Sequence, residues 1–179
     1  WVASCRRYHM NQSEDLLEIV NAENEIIGIE RRGVVHATNL MHRSVHIVLV
    51  NSDNHILVQQ RAWDKDSEPG KWDTSSAGHI DPGETPLEAA KRELSEELGL
   101  SGVVLEEMFC LEASVDTGYE FINIFLCREN STVSPDPEEI IDWRWCCSAE
   151  LQSWTREHPD IFTSVFKTIV TYLWKFEVL

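Results

Sequence analysis

Basic residues are scarce: 15 lysines and arginines stand against 31 aspartates and glutamates in 179 residues, a formal net charge of −16. So few cations cannot neutralise a phosphate backbone, which argues against non-specific nucleic-acid binding. The balance fits either an acidic, solvated surface or a partner that carries cations in with it, such as a metal complexed to a phosphate. Cysteine is sparse too, at positions 5, 110, 127, 146 and 147. The count is odd and there is no CxxC pair, which suggests neither a disulfide framework nor a zinc knuckle. A reduced, cytoplasmic setting is the simplest inference. No stretch approaches the ~18 uninterrupted apolar residues of a membrane span. The opening WVASCRRYHM lacks the apolar centre of a secretory signal. Low-complexity tracts, repeats and linkers are missing as well.

What remains reads as one globular domain, 42% hydrophobic and long enough for a sizeable core. Residues 1–15 are expected to be a disordered or vector-derived leader, with a single domain over 16–179. LLEIV (16–20) and EIIGIE (25–30) flank a turn-like NAEN and predict a short hairpin. SVHIVLVNSDNHILVQQRA (44–62) predicts a stronger one, apolar on both faces, as central strands covered on both sides would be. Further strands are expected in 103–113, 119–127 and 141–147. Ser148 is expected to cap a short helix, and an amphipathic helix over 161–176 would place Phe162, Val165, Phe166, Ile169 and Leu173 on one side. Together these give an α/β fold with a mixed sheet and helices on both faces.

The densest charge lies in AGHIDPGETPLEAAKRELSEELGL, residues 77–100. Thr85, Pro86 and Glu88 read as a helix start, with Thr85 as N-cap and Glu88 completing a capping box; Gly99 reads as the stop. At about 100° per residue, Leu87, Ala90, Leu94 and Leu98 form one stripe, and Glu93, Glu96 and Glu97 form a second. Three carboxylates at spacings of three and four repel one another. Mg²⁺ removes that difficulty, because it prefers oxygen and is commonly held by carboxylates plus substrate phosphates. A solvated acidic face is the other reading of the triplet alone.

Spacing adds to this. Gly78, Glu84 and the run Arg92-Glu93-Leu94-Ser95-Glu96-Glu97-Leu98-Gly99-Leu100 resemble the Nudix box, G-x5-E-x7-R-E-U-x-E-E-x-G-U with U aliphatic, and every specified position is met. The resemblance implies a Nudix-type α/β/α sandwich with a central mixed sheet. It also implies a loop–helix–loop that binds Mg²⁺ or Mn²⁺ and cleaves a diphosphate linked to another moiety. By position, Glu93, Glu96 and Glu97 look like metal ligands, Arg92 and Glu84 like a brace between loop and helix, and Gly78 and Gly99 like backbone necessities. Arg92 is alternatively a phosphate contact.

Beyond the box, LMHRSVHI, QQRAWDKDSEPGKWD, SSAGHIDPGE and STVSPDPEEI look like the isopentenyl-diphosphate isomerase branch and the Nudix hydrolases close to it. Arg61 and Lys65 match a basic pair that holds the diphosphate there, and Arg32 matches a third basic contact. His36, His42 and His79 fall near three histidine ligands of the isomerases' metal, a possible second metal site, and Glu120 matches one of two glutamate ligands. Gly118 stands in the other glutamate's place, and Ala77 in that of the catalytic cysteine. A methyl group neither donates nor accepts the proton that isomerisation requires.

The expectation is therefore a Mg²⁺-dependent hydrolase of a small-molecule phosphoanhydride, such as a nucleoside diphosphate derivative, acting through metal-activated water. Glu97 or Glu120 would serve as base, Glu120 also as a further ligand, and Arg61, Lys65 and Arg32 would orient phosphates. An isomerase and a non-catalytic nucleotide sensor are the rival readings. No nucleic acid or membrane partner is expected.

Overall fold

A computed structural model describes residues 12–178. Most of the expected leader lies outside these residues. Its last part does not behave as a leader: Gln12–Glu14 form a 3-10 turn, and Arg32 N donates to Asp15 O at 2.7 Å, tying this segment to the fold.

The first expected hairpin forms as β1 (Leu16–Val20) against β2 (Ile26–Arg31), an antiparallel sheet of its own. A helix that was not anticipated follows, α1 (Arg32–Thr38). Its N-cap, Arg31, makes no side-chain cap hydrogen bond, so no start signal marks it in the sequence. Asn39 in the left-handed conformation ends it.

The central sheet contains β3 (His42–Val50), β4 (Ile56–Arg61), β5 (Trp72–Asp73), β6 (Ser76–His79), β7 (Leu105–Leu111), β8 (Glu120–Arg128) and β9 (Ile140–Cys146). Its spine runs β5-β4-β3-β8-β7, with β6 on β3 and β9 on β4. β3 and β8 are parallel and the other pairs antiparallel, so the sheet is mixed. The second expected hairpin departs from expectation. β3 and β4 pair only at Val50↔Ile56, then splay so that β6 joins β3 and β9 joins β4.

Alternation along β3 builds two cores. Val45, Ile47 and Leu49 pack on one face with Leu57 and Phe125, beneath Ala89, Ala90, Leu94 and Leu98 of α2 (Pro86–Leu98). Val48 and Val50 pack on the other with Ile122, Ile124 and Leu126. That second face is covered by Leu151 of α3 (Ser148–Glu157) and by Phe166, Ile169, Val170 and Leu173 of α4 (Ser164–Lys175). This is the three-layer arrangement the sequence predicts. Leu94 is fully buried. Leu94→Ala should therefore cost about 2–5 kcal/mol, read from denaturant unfolding of the metal-free protein.

The caps of α2 match their reading: Thr85 accepts from Glu88 N within a capping box, and Gly99 closes the helix at φ 69°. Leu87 does not join the buried stripe; it is 40% exposed in the first turn. The α3 cap is Cys147, whose N–H donates to Glu150, and Ser148 is the first helical residue. Phe162 is buried but precedes α4, which Thr163 caps. Among the described residues no helix is long and apolar enough to cross a membrane.

Candidate active site

The acidic face of α2 is not uniformly solvated. Glu97 is 6% exposed and the Glu93 side chain 14%, whereas the Glu96 side chain is 53% exposed. Glu97 Oε2 accepts from Ala77 N at 3.2 Å and from Gln59 Nε2 at 3.3 Å. Glu93 fills the space a side chain would occupy at Gly78: a Cβ there would lie 2.0 Å from Glu93 Oε1. That is the steric reason for the first glycine of the motif. Burial, and then the charge of Glu97, pushes the Glu93 carboxyl up to about 8. Burial likewise raises Glu97, against hydrogen bonds that favour its charge and the attraction of Lys65. Two adjacent carboxylates out of water at neutral pH call for a proton or a cation.

Arg92 is fully engaged. Its Nε and Nη2 form a fork on Glu84 at 3.0 and 2.9 Å, Nη2 also reaches His79 O at 3.0 Å, and Nη1 donates to Glu93 at 2.6 Å. These contacts place Arg92 as a brace of loop against helix and leave none of its nitrogens for a phosphate.

The histidines converge. One ligand atom from each of His36, His42, His79 and Glu120 lies within 4.8 Å of the other three. α1 supplies His36, the start of β3 supplies His42, the end of β6 supplies His79, and the start of β8 supplies Glu120, which is in register with His42. Burial drives the His79 pKa down to about 4. Burial opposes the charge of Glu120, but contacts with His42 and His79 hold its carboxyl well below the usual range. His42 Nδ1 is 2.9 Å from Leu40 O, a contact only an N–H can make. His42 Nε2 is buried and without a hydrogen-bond partner, 3.4 Å from Glu120 Oε1, and in the neutral imidazole with its proton on Nδ1 this nitrogen carries a lone pair. Two lone pairs facing each other fit a cation between them, so the donor set suits a metal. Of the two places the sequence offers for Glu120, beside the box glutamates or with the histidines, it stands among the histidines. His79 and Gly78 are consecutive in β6 and address opposite faces, so the two candidate metal sites flank that strand.

Lys65, Arg61 and Arg32 lie close enough to feel one another's charge. The Lys65 ammonium interacts with Glu97, Arg61, Arg32 and Glu93, and burial lowers its pKa. Arg61 Nη1 is 3.6 Å from buried Asp73, Lys65 pairs with Glu139, and Arg32 Nη2 donates to Asp66 at 2.9 Å. Arg32 Nε and Arg61 Nε are both buried without an acceptor among the described residues. Asp66 also meets His36 Nδ1 at 3.3 Å. The His36 contact and Arg32 hold its carboxyl far below the usual range, although burial opposes its charge. Asp66, Asp73 and Glu139 went unrecognised in the sequence, because pairs 12 to 74 positions apart leave no local periodicity. Trp72 lies in the core, whereas Trp63 is exposed.

The described cysteines lie away from Ala77. Cys127 and Cys146 are in the two cores, Cys110 is exposed on β7, and Cys147 caps α3.

Residues 40–165 match the NUDIX domain family. The chain is 33% identical over 161 residues to an isopentenyl-diphosphate Delta-isomerase of Serratia proteamaculans, covering 88% of this chain and 90% of that one. It is 41% identical over 116 residues to Nudix hydrolase 3 of Arabidopsis thaliana, covering 62% of this chain but 15% of that protein. Among solved structures, DR0079 from Deinococcus radiodurans shares the fold with a TM-score of 0.70 at 24% identity, covering 83% and 92% of the two chains.

Proposed function

The chain belongs to the NUDIX domain family, and on that premise we propose that it hydrolyses a phosphoanhydride in a small molecule carrying a diphosphate, with Mg²⁺ or Mn²⁺ as cofactor. The observation that carries this reading is the pairing of a buried carboxylate, Glu97, and a largely buried one, Glu93, with a cluster of cations that includes two unsatisfied guanidinium donors. One half asks for a cation and the other for an anion; a metal–diphosphate complex supplies both.

Glu93, Glu96 and Glu97 are the residues that would hold the ion. Bound there, it would neutralise charge developing on the phosphates and lower the pKa of a water. Arg32 Nε and Arg61 Nε donate to the diphosphate, and Lys65 exchanges Glu139 for a phosphate oxygen. Glu97 accepts the proton as general base. Arg92 keeps Glu84 and Glu93 in place without touching substrate.

A second reading, isomerisation of isopentenyl diphosphate, is favoured by the histidine–Glu120 cluster and the isomerase named among the relatives. Against it stand the Ala77 methyl and Gly118, whose φ of +65° a glutamate would adopt only with strain. The test is a panel of nucleoside diphosphate derivatives, sugar nucleotides and isoprenyl diphosphates, assayed with Mg²⁺ and with chelator. Cleavage of the diphosphate, seen as new phosphomonoesters or inorganic phosphate, that the chelator abolishes supports hydrolysis. A double-bond shift seen by NMR with the diphosphate left intact overturns it.

The Glu93 shift has a sign that can be checked. With its pKa raised from 4.5 to about 8, the folded state holds a proton that the unfolded state releases. Stability of the metal-free protein should therefore fall as pH rises from about 5 to about 8, by no more than about 1.4 kcal/mol per pH unit. Thermal melts across that window measure the fall, and added Mg²⁺ should cancel it.

A further inference from the structure

Asp66 is the only described side chain that touches both a candidate phosphate cation and a candidate metal ligand through separate oxygens. Oδ1 accepts from Arg32 Nη2 at 2.9 Å, and Oδ2 lies 3.3 Å from His36 Nδ1. Arg32 and His36 are four residues apart on α1, one turn, so a single carboxylate from the 62–71 loop spans both.

The loop has other anchors. Arg61 Nη2 donates to Ser67 O at 3.1 Å, Gln60 Nε2 to Gly70 O at 2.8 Å, and Lys71 pairs with Glu68. Asp66 is therefore not what keeps the loop on the domain. What it decides is the orientation of two side chains. A carboxylate offers only acceptors, so the His36 atom facing it carries the proton on Nδ1. Nε2 is then left with its lone pair, and it is this atom that lies 3.3 Å from His79 Nε2 inside the cluster.

We propose that Asp66 is a positioning residue that sets the tautomer of His36 for metal ligation and at the same time aligns Arg32 for the diphosphate. The proposal rests on the reading of His36, His42, His79 and Glu120 as a metal site. In Asp66→Asn the one remaining oxygen can serve Arg32 or His36 but not both. The new amide donor favours the opposite imidazole tautomer, with Nε2 protonated and unable to ligate.

The probe is Co²⁺, followed by its visible absorption, with excess Mg²⁺ present to saturate the carboxylates of α2. The full chain should show a saturable band, and Asp66→Asn should weaken Co²⁺ affinity by about 10–100-fold, the usual effect of losing a ligand's outer partner. A wild-type chain without that band removes the metal reading itself. A wild-type chain with the band and a variant within twofold of it keeps the metal site and overturns the role of Asp66. A variant that melts earlier yet binds Co²⁺ unchanged would show a merely structural role. Nitrogen NMR of the unmutated, metal-free protein at about pH 8, above the ordinary imidazole range, needs no variant. His36 protonated on Nδ1 is expected there, and protonation on Nε2 overturns the proposal.

Discussion

Turnover in Glu97→Gln is expected to fall by about 10²–10⁴-fold, the usual contribution of a general base. The argument is one of substitution without rearrangement. Glutamine keeps the length of the side chain, and its carbonyl can still accept from Ala77 N, as Glu97 does at 3.2 Å. Its volume suits the buried position between Gln59 and β6. What it loses is basicity and one negative charge beside Lys65. The fall should therefore appear in kcat rather than as loss of fold, with the melting temperature of the variant close to that of the parent or above it. Unchanged turnover would show that Glu97 is not the base.

Arg92→Met should instead act on stability. Arg92 and Glu84 are 19% and 16% exposed, and the guanidinium fork holds both oxygens of Glu84. Removing the cation leaves Glu84 and Glu93 with little water and no counter-charge, a situation that costs about 3–5 kcal/mol for a buried pair. Denaturant unfolding of Arg92→Met, Glu84→Gln and the double variant forms a cycle. The double variant should recover part of the loss, since the stranded Glu84 charge goes with its partner. Additive losses would mean that the two residues do not brace one another.

Legibility in the sequence followed locality. The start and stop of α2 were readable because capping is written in adjacent residues, Thr85 to Glu88 and Gly99. The two-faced burial of β3 was readable because its apolar run has no polar side. Leu87 misled because a periodic stripe says nothing about where a helix outruns the sheet beneath it. The depth of Glu93 and Glu97 was hidden for a related reason: three glutamates at helical spacing look alike until Gly78 and Ala77 approach two of them. α1 carries neither a side-chain cap nor a long repeat, so only its packing shows it. The site followed the same rule. The motif pointed to Glu93, Glu96, Glu97 and Arg92, while Asp66, Asp73 and Glu139 belong to pairs that close over long stretches of chain. The histidines lie between these cases: their positions were noticed, but only the meeting of α1, β3, β6 and β8 shows that they converge on Glu120.

All of the chemistry assigned to α2 depends on its carboxylates taking up a divalent ion, with the proton that burial favours on Glu93 released to solvent. Isothermal calorimetry of Mg²⁺ or Mn²⁺ into the purified chain, with a non-hydrolysable diphosphate present, tests this most directly. Saturable uptake accompanied by proton release is the expected result. Heats no different from buffer, with neither ion taken up, would contradict it.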